Sequence, residues 1–364
     1  MTAYLLLLLF IYIIYFISRF SFHGAEASKR FFLLSSFFAI FLLCVLRDYS
    51  VGRDLPTYID VYERSRSYPF ADTSWTHMEV GYVIFMQLCS YIGLSSRLFI
   101  CFVYFLMLYP IYNTFRKYSH EALLSVIIYV CFQFLTFDMS GIRQGLAISF
   151  CLLSLPYIKL SSKKDFVIFV SLLFLAYTFH HSSIIFIIAP FVIRLNINLK
   201  NIFIFLLSFI LAPTITNIVM TINIENELSK YTFDDRLEMV GIVLFLFVII
   251  VFIFLTCIKL NLKKSFLDRS GFSLVQYLFL LSACLFFTLA FNGTMLSRST
   301  MCYSILMTVA IPNTIKKYDR ALQTILNIIF HLFLLLFFYQ FCLAPRALDI
   351  VPYKLGMDLP FMNI

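Results

Sequence analysis

Residues 4–20 read "YLLLLLFIYIIYFISRF", an apolar run whose only charge is Arg19. A run of this kind approaches the roughly 20 residues that a helix needs to cross a bilayer. It has no basic segment before it and no small-residue cleavage site, so we expect it to be retained and not removed as a signal peptide. Twelve further apolar runs follow at 31–46, 80–94, 97–113, 122–137, 142–158, 165–179, 182–195, 201–222, 239–259, 271–291, 299–315 and 321–342.

The composition agrees with these runs. Of the 364 residues, 62% are hydrophobic and 13% are charged, whereas a soluble domain is about half apolar and a quarter charged. This predicts an all-α polytopic membrane protein whose single domain spans residues 1–364, with no soluble module. The nine cysteines lie in or beside apolar runs without close pairing, which indicates small hydrophobic side chains and neither disulfides nor a metal site. The net charge of +9 is divided among many loops and does not indicate nucleic-acid binding.

The distribution of lysine and arginine predicts the topology. If all thirteen runs crossed the membrane, the basic loops would fall on both sides, against the positive-inside rule. The conflict disappears if the short run 80–94, which contains Gly81 and Gln87, is a re-entrant or interfacial helix. About twelve helices then cross, both termini face outward, and 17 of the 28 basic residues, including 11 of the 13 lysines, face inward. The main outward loop region covers 47–79, and it extends to 96 if 80–94 does not cross.

Arginine dominates the basic residues on the outward side, where it accounts for nine of eleven. Its planar guanidinium grips phosphate and carboxylate in a bidentate way that lysine does not match. The outer face is therefore predicted to bind an anion.

The first outward motif is "RDYSVGRD" at residues 47–54, in which two Arg-Asp pairs bracket Gly52 at the exit of an apolar run. Asp54 fits an N-cap, with Pro56 in the first turn of the helix that follows. The structural alternative for Asp54 is a plain cap on a short surface helix, but that alternative does not explain the paired charges.

Two further outward motifs combine capping signals with charge. In "WTHMEVGY", Thr76 and Glu79 form a T-x-x-E capping box for the next helix, which favours a structural role for Glu79. In "FDMSGIRQGLAISF", Ser140 fits a cap that places Arg143 in the first helical turn. A cation is disfavoured there by about 0.3–1 kcal/mol, whereas a bound anion would gain from both the arginine and the free N–H groups. Arg298 repeats this pattern, and the structural alternative for both is an arginine that reaches the lipid headgroups.

The stretch "YTFHHSSIIF" places His180 at an outer membrane boundary, where a histidine can act as a base or hold an anion. The alternative is an ordinary interfacial polar residue. The sequence contains no H-x-x-x-H pattern, no phosphate-binding G-x-x-x-x-G-K-[ST] and no H-E-x-x-H, which excludes the obvious nucleotide-driven and metalloprotease classes.

Taken in order, the motifs resemble a known family. They are "R-D-x-x-V-G-R-D-x-x-x-Y", "E-x-G-Y", "I-R-Q-G-L-A", "F-H-x-S", a late arginine before Tyr303, and a "VPYK" tail. This order and spacing resemble the EpsG-like branch of the Wzy-type polysaccharide polymerases of bacterial O-antigen and exopolysaccharide clusters. The family more often has Thr after the Asp of V-G-x-D, where this chain has Leu55.

The resemblance implies a GT-C-like fold and a metal-independent glycosyltransferase without cofactors, in the bacterial cytoplasmic (inner) membrane. Its active site would face the periplasm or outside. The substrates would be undecaprenyl-diphosphate-linked oligosaccharide repeat units, and a chain-length regulator protein would be a further partner. By the resemblance, the motif residues are Arg47, Gly52, Asp54, Tyr58, Glu79, Arg143, Gln144, His180 and Arg298. We expect the catalytic candidates to be Asp54, His180 and Glu79. We expect substrate and diphosphate binding by Arg47, Arg53, Tyr58, Arg143, Gln144 and Arg298.

Two other functions remain open at this stage. An O-antigen ligase performs similar chemistry, but ligases tend to have one large outward loop late in the chain, whereas the long outward segment here is early. A flippase or transporter would have charges at mid-span and two repeated halves, whereas here the charges cluster at outer helix ends and no internal repeat is found.

Overall fold

The computed structural model describes residues 1–193, 301–343 and 349–356, and within these ranges it is helical with no strands. The α-helices are α1 (Thr2–Ser21), α2 (Ala25–Val45), α3 (Leu55–Arg64), α4 (Val80–Tyr91), α5 (Ser96–Tyr118), α6 (Ala122–Cys131), α7 (Phe134–Ser140), α8 (Ile142–Ser154), α9 (Lys163–Phe179), α10 (Ala189–Val192), α11 (Met301–Ser304), α12 (Met307–Ile315) and α13 (Arg320–Phe337). Short 3₁₀ segments cover Ser65–Ser67, Leu155–Tyr157 and His181–Ile188, and a π-helical turn covers Phe338–Cys342.

Four helices in the described ranges are long and apolar enough to cross a membrane. They are Thr2–Ser21, Ala25–Val45, Ser96–Tyr118 and Arg320–Gln340, and α6 with α7 adds a fifth span if the bent pair is counted as one. Large apolar side chains on these helices point away from the protein, for example Phe16 (59% exposed) and Leu336 (69%), as lipid contact requires. The chain is therefore an all-helical membrane protein. The predicted spans between 201 and 291 lie outside the described residues.

Contacts between the antiparallel helices α2 and α5 define the two ends of the bundle. At the end that we call the upper end, Arg97 at the start of α5 donates from Nη1 to the carbonyl oxygens of Val45 and Arg47, at 2.7 and 2.6 Å. At the lower end, Lys29 near the start of α2 donates from Nζ to the carbonyl oxygen of Ser119, at 2.7 Å. The chain between α2 and α5 therefore begins and ends at the upper end.

Helix α4 lies in this part of the chain, between α2 and α5, and is too short to span a membrane. Its 12 residues extend about 18 Å, whereas a bilayer core is about 30 Å thick. Gln87 ties the helix to the loop before it, since its amide nitrogen donates to the carbonyls of Ser65 (3.1 Å) and Pro69 (3.0 Å), and its amide oxygen accepts from the N–H of Ala71 (2.8 Å). The α4 helix thus makes no net crossing of the bundle, while the position of 80–94 relative to the membrane stays a prediction.

The apolar run at 122–137 is not one straight helix. It breaks after Cys131 into α6 and α7, which meet at a 49° bend where Gln133 has a left-handed backbone (φ +59°). A second break at Gly141 separates α7 from α8. The buried α7 therefore ends inside the upper half of the bundle, and the first turn of α8 begins there. Broken helices of this kind occur in membranes only where the protein covers the freed backbone groups.

Candidate functional site

The loop of residues 46–54 is held by residues 349–356, which we call the C-terminal strap. The N–H of Gly52 donates to the carbonyl oxygen of Asp349 at 2.9 Å, and the Nε of Arg53 lies 3.3 Å from the Asp349 carboxylate. The "VPYK" tail is part of this strap. The strap and the "RDYSVGRD" motif, which are about 300 residues apart in the chain, thus form one structural unit at the upper end.

Gly52 fits this unit because it has no side chain. Its φ of +106° is one that other residues rarely adopt. A Cβ atom at this position would lie 2.6 Å from the carbonyl oxygen of Met139 and 3.0 Å from Nη1 of Arg47. Since Met139 is in α7, the glycine allows the loop to pack directly against the helix break that precedes α8.

Arg47 is fully buried, with 0% exposure, and begins a polar network in the protein interior. Its Nη2 donates to the hydroxyl of Tyr104 at 2.6 Å, and that hydroxyl donates to the carbonyl oxygen of Asp138 at 2.9 Å. The hydroxyl of Tyr129 donates to the Asp138 carboxylate at 2.6 Å. Nε and Nη1 of Arg47 have no hydrogen-bond partner among the described residues. In this conformation the guanidinium faces α5 and α7, not the surface.

The second part of the site is an ion pair between Arg143 and Glu79, whose side chains are 23% and 9% exposed. Arg143 lies in the first turn of α8, as predicted, and its Nη1 donates to Oε2 of Glu79. Its Nε donates to the hydroxyl of Tyr58 at 3.4 Å, and its guanidinium carbon lies 5.8 Å from the centre of that ring. Burial raises the pKa of Tyr58, and the Arg143 charge opposes this effect. Nη2 of Arg143 has no hydrogen-bond partner in the described part of the chain.

His180 joins this ion pair from the end of α9. Its Nδ1 lies 3.7 Å from Oε1 of Glu79 and accepts a hydrogen bond from the backbone N–H of Ser182 at 3.3 Å. Gln144 follows Arg143 on α8, and its Nε2 donates to Oγ of Ser182 at 3.4 Å. Because a backbone N–H can only donate, a neutral His180 carries its proton on Nε2.

Two of the predicted helix caps are wrong. Glu79 is itself the N-cap residue of α4 and makes no capping hydrogen bond, so Thr76 and Glu79 do not form a capping box. The long-range ion pair uses the Glu79 carboxylate instead. Ser140 does not cap α8, because it is the last residue of α7 and Gly141 occupies the N-cap position without a side-chain bond.

The remaining predicted site residues lie on the loop or outside the described ranges. Asp54 is the N-cap residue of α3, as predicted, but its side chain makes no capping hydrogen bond and is half-buried. Its carbonyl oxygen accepts from the N–H of Tyr58 at 3.1 Å, which places Asp54 one helical turn from the residue that contacts Arg143. Arg298 lies outside the described residues.

The structure therefore connects residues that are far apart in sequence. Five of the predicted residues form one contact cluster: Tyr58, Glu79, Arg143, Gln144 and His180. Arg53 and Asp54 lie on the adjoining loop, and Arg47 lies beneath it. In the described ranges no group of three or more His, Cys, Asp or Glu residues is arranged to hold a metal ion. The cluster offers a guanidinium, a carboxylate and an imidazole for binding charge and moving a proton.

Sequence reasoning missed the supports of this cluster. Asp138 could have been noticed, since a carboxylate directly between two apolar runs is rare and can mark a polar network. Ser182 is the serine of the F-H-x-S motif, but its contact with His180 was not predicted. Tyr104 and Asp349 carry no comparable signal, because their roles depend on which groups other segments bring to them.

The fold and the cluster define an all-helical integral-membrane protein with a polar, ion-paired site at the ends of its helices. Comparison with protein-family models gives a match to the EpsG family over residues 30–355, so the chain belongs to the EpsG family. The matched range includes the 46–54 loop and every residue of the contact cluster. The resemblance found in the sequence is thereby confirmed. Searches among curated proteins and among solved structures gave no match.

Proposed function

We propose that this protein is a polysaccharide polymerase, a glycosyltransferase acting on undecaprenyl-diphosphate-linked oligosaccharide repeat units. It transfers the growing glycan from undecaprenyl diphosphate to the nonreducing end of the next lipid-linked repeat unit. The reaction takes place at the periplasmic or outer face of the bacterial cytoplasmic membrane, where the upper end of the bundle is located. About twelve crossing helices, a GT-C-like architecture and a chain-length regulator as partner belong to this proposal.

The observation that carries the proposal is the position of Arg143. Its Nη2 has no hydrogen-bond partner among the described residues, and it lies in the first turn of α8, where the first N–H groups have no partner within the helix. Donors of these two kinds suit a diphosphate. Glu79 and Tyr58 hold the guanidinium, so its orientation is set before the substrate binds. Preorganised donors of this kind stabilise the negative charge that develops on a leaving group.

The three candidate bases differ in the contacts that their side chains make in the structure. Both Glu79 oxygens face cations or potential cations, one at Arg143 and the other near His180, so Glu79 is assigned to orienting these two residues. His180, whose Nδ1 accepts from the N–H of Ser182, is assigned to orienting the diphosphate or the acceptor sugar. Asp54 has a half-buried carboxylate with no hydrogen bond or ion pair to the described residues. Asp54 is therefore assigned as the base.

The proposed reaction is a displacement at the anomeric carbon that links the growing glycan to undecaprenyl diphosphate. The acceptor hydroxyl loses its proton to Asp54 as its oxygen bonds to that carbon. The bond from the carbon to the diphosphate oxygen breaks, and its electron pair leaves with undecaprenyl diphosphate. Arg143, with Arg53 and Arg298, offsets the charge on this leaving group, while the buried Arg47 positions the loop that carries Arg53 and Asp54.

The test is chain extension in vitro from purified lipid-linked repeat units. We expect Arg143→Lys to lower the rate by at least about 100-fold, because an ammonium group cannot hold Glu79, Tyr58 and a phosphate oxygen at once. The matched control is Arg116→Lys at the lower end, where the side chain is exposed and its guanidinium bonds to Asn113. The control should retain the wild-type rate.

Three outcomes would contradict the proposal. A near-normal product ladder from Arg143→Lys would remove the arginine from the diphosphate site. Transfer of glycan to lipid A core, with no extension of repeat units, would identify a ligase. Movement of lipid-linked units across vesicles without bond formation would identify a flippase.

A further inference from the structure

A cavity of about 350 Å³ opens at the lower end of the bundle, far from the contact cluster. It lies between the end of α1, the start of α2, the loop between α5 and α6, and Lys316 after α12. Its volume falls within the range of roughly 300–1,000 Å³ that is usual for small-molecule sites. Nothing in the proposed reaction uses this cavity.

The cavity has a charged lining of both signs. Among the described residues that line it, the cations are Arg19, Lys29 and Lys316, and the carboxylates are Glu26 and Glu121. His120 also lines it, and burial together with Lys29 and the neighbouring lysines lowers the His120 pKa, so this side chain adds no charge at neutral pH. The lining therefore contains three positive and two negative groups.

One of the cations is fixed in place. Nζ of Lys29 donates to the carbonyl oxygens of Arg116 and Ser119, both at 2.7 Å, which leaves the third N–H of the ammonium for another partner. On another side of the cavity, the hydroxyl of Tyr15 lies 3.5 Å from Oε1 of Glu121, and the guanidinium of Arg19 lies 6.0 Å from the Tyr15 ring. Arg19 thus lies on the same side of the cavity as Glu121, and Lys29 interacts with Glu26, so groups of both signs alternate around the lining.

The mixed lining selects against simple ions. Two carboxylates disfavour a plain anion, and three cations disfavour a plain cation. A ligand with both a phosphate and a primary ammonium group matches a lining that carries both signs. The cavity also lies at the ends of two candidate spans, α1 and α2, which is the depth at which lipid headgroups are found.

We propose that this cavity binds the headgroup of a phospholipid that carries a phosphate and a primary ammonium, as phosphatidylethanolamine does. The lipid belongs to the leaflet at the lower end, opposite the contact cluster. Arg19, Lys29 and Lys316 hold the phosphate, and Glu26 and Glu121 accept hydrogen bonds from the ammonium. This proposal stands independently of the proposed polymerase activity.

Native mass spectrometry of the purified full-length protein tests the proposal. Dioleoyl phosphatidylethanolamine, phosphatidylglycerol and phosphatidylcholine are added separately at equal concentrations. We expect phosphatidylethanolamine to be retained at least about threefold better than the other two, since phosphatidylglycerol lacks the ammonium and the quaternary ammonium of phosphatidylcholine cannot donate hydrogen bonds. This comparison needs no variant. Equal retention of all three lipids, or stronger retention of phosphatidylglycerol, would overturn the proposal.

Two double variants measure the contributions of the carboxylates and of the cations separately. Glu26→Gln with Glu121→Gln should lower phosphatidylethanolamine retention by roughly three- to tenfold and remove its advantage over phosphatidylcholine. Arg19→Gln with Lys316→Gln should weaken both of these lipids. The matched control, Lys159→Gln with Lys163→Gln, removes two exposed lysines that do not line the cavity and should change nothing.

Soluble glycerophosphoethanolamine distinguishes a lipid from a free metabolite. We expect it to displace the lipid only at a large excess, because it lacks the acyl chains that hold the headgroup at the cavity. Displacement at equal concentration would show that the site takes a soluble ligand and would overturn the lipid assignment. Unchanged lipid preference in the glutamate double variant would also overturn it.

Discussion

Gly52→Ala is expected to damage the site, because two separate effects combine at this position. The backbone φ of +106° lies outside the range that L-residues readily adopt, and a Cβ atom would be 2.6 Å from the Met139 carbonyl oxygen. Gly93 provides a matched control. It also has a positive φ, +87°, but a Cβ atom there would meet no other atom within 4 Å.

The expected loss of stability is the sum of these two effects. Placing a non-glycine residue in a left-handed conformation costs roughly 1–2 kcal/mol, which both substitutions share. Overpacking against the Met139 carbonyl adds roughly 1–3 kcal/mol at Gly52 alone. At roughly 2 °C per kcal/mol for a large domain, Gly93→Ala should lower the apparent Tm by about 2–4 °C and Gly52→Ala by about 4–10 °C.

The assay is thermal unfolding of the two purified variants in the same detergent, together with chain extension by the folded fraction. Because Met139 immediately precedes the break before α8, Gly52→Ala should also lower the rate by roughly 10- to 100-fold through displacement of Arg143. Gly93→Ala should leave the rate close to that of the wild type. If the two variants lost the same stability, the close approach of Gly52 to α7 would not be a real constraint, and the reasoning would be refuted.

Three other predictions concern the base, the histidine and the topology. Asp54→Asn should abolish chain extension without lowering the protein level, because an amide accepts no proton; an active variant, measured in vitro across pH, would return Asp54 to a structural role. His180→Gln keeps a hydrogen-bond donor and should retain partial activity in the same assay, whereas complete loss would make His180 the leading candidate for the base. In a cysteine-free background, Ser95→Cys should react with an impermeant reagent added from outside and Lys117→Cys should not; the reverse pattern would refute the placement of 80–94.

The sequence predicted the helical membrane class well, because it depends on properties summed over many residues. Long apolar runs survive any local error. The start of a helix at Gly141 was predicted, whereas the helix break at Gln133 was not. An apolar run has the same composition whether it is straight or bent, and the groups that cover the freed backbone come from other segments.

The site was predicted less well, for a related reason. Arg143 was correctly placed in a first helical turn, since that depends on a local break at Gly141. Glu79 was assigned to a capping box, because T-x-x-E is a good local match, yet its carboxylate instead pairs with an arginine 64 residues away. That arginine is brought to the carboxylate by a distant segment of the chain, and no local pattern reveals such a partner.

The comparison of Arg97 with Arg143 shows why the sequence pattern alone could not identify the anion-binding arginine. Both residues lie in the first turn of a helix at the upper end of the bundle, where a cation is unfavourable. Arg97, however, donates to the carbonyl oxygens of Val45 and Arg47 at the end of α2, and a cation is favourable at the C-terminal end of a helix. Its charge therefore supports the packing of α2 against α5. Arg143 donates to no such carbonyl group in the described structure. Among the described residues its charge is paired with Glu79, and its Nη2 has no hydrogen-bond partner there. What separates a structural arginine from a binding one is thus the helix end that the guanidinium reaches, which only the packed bundle determines.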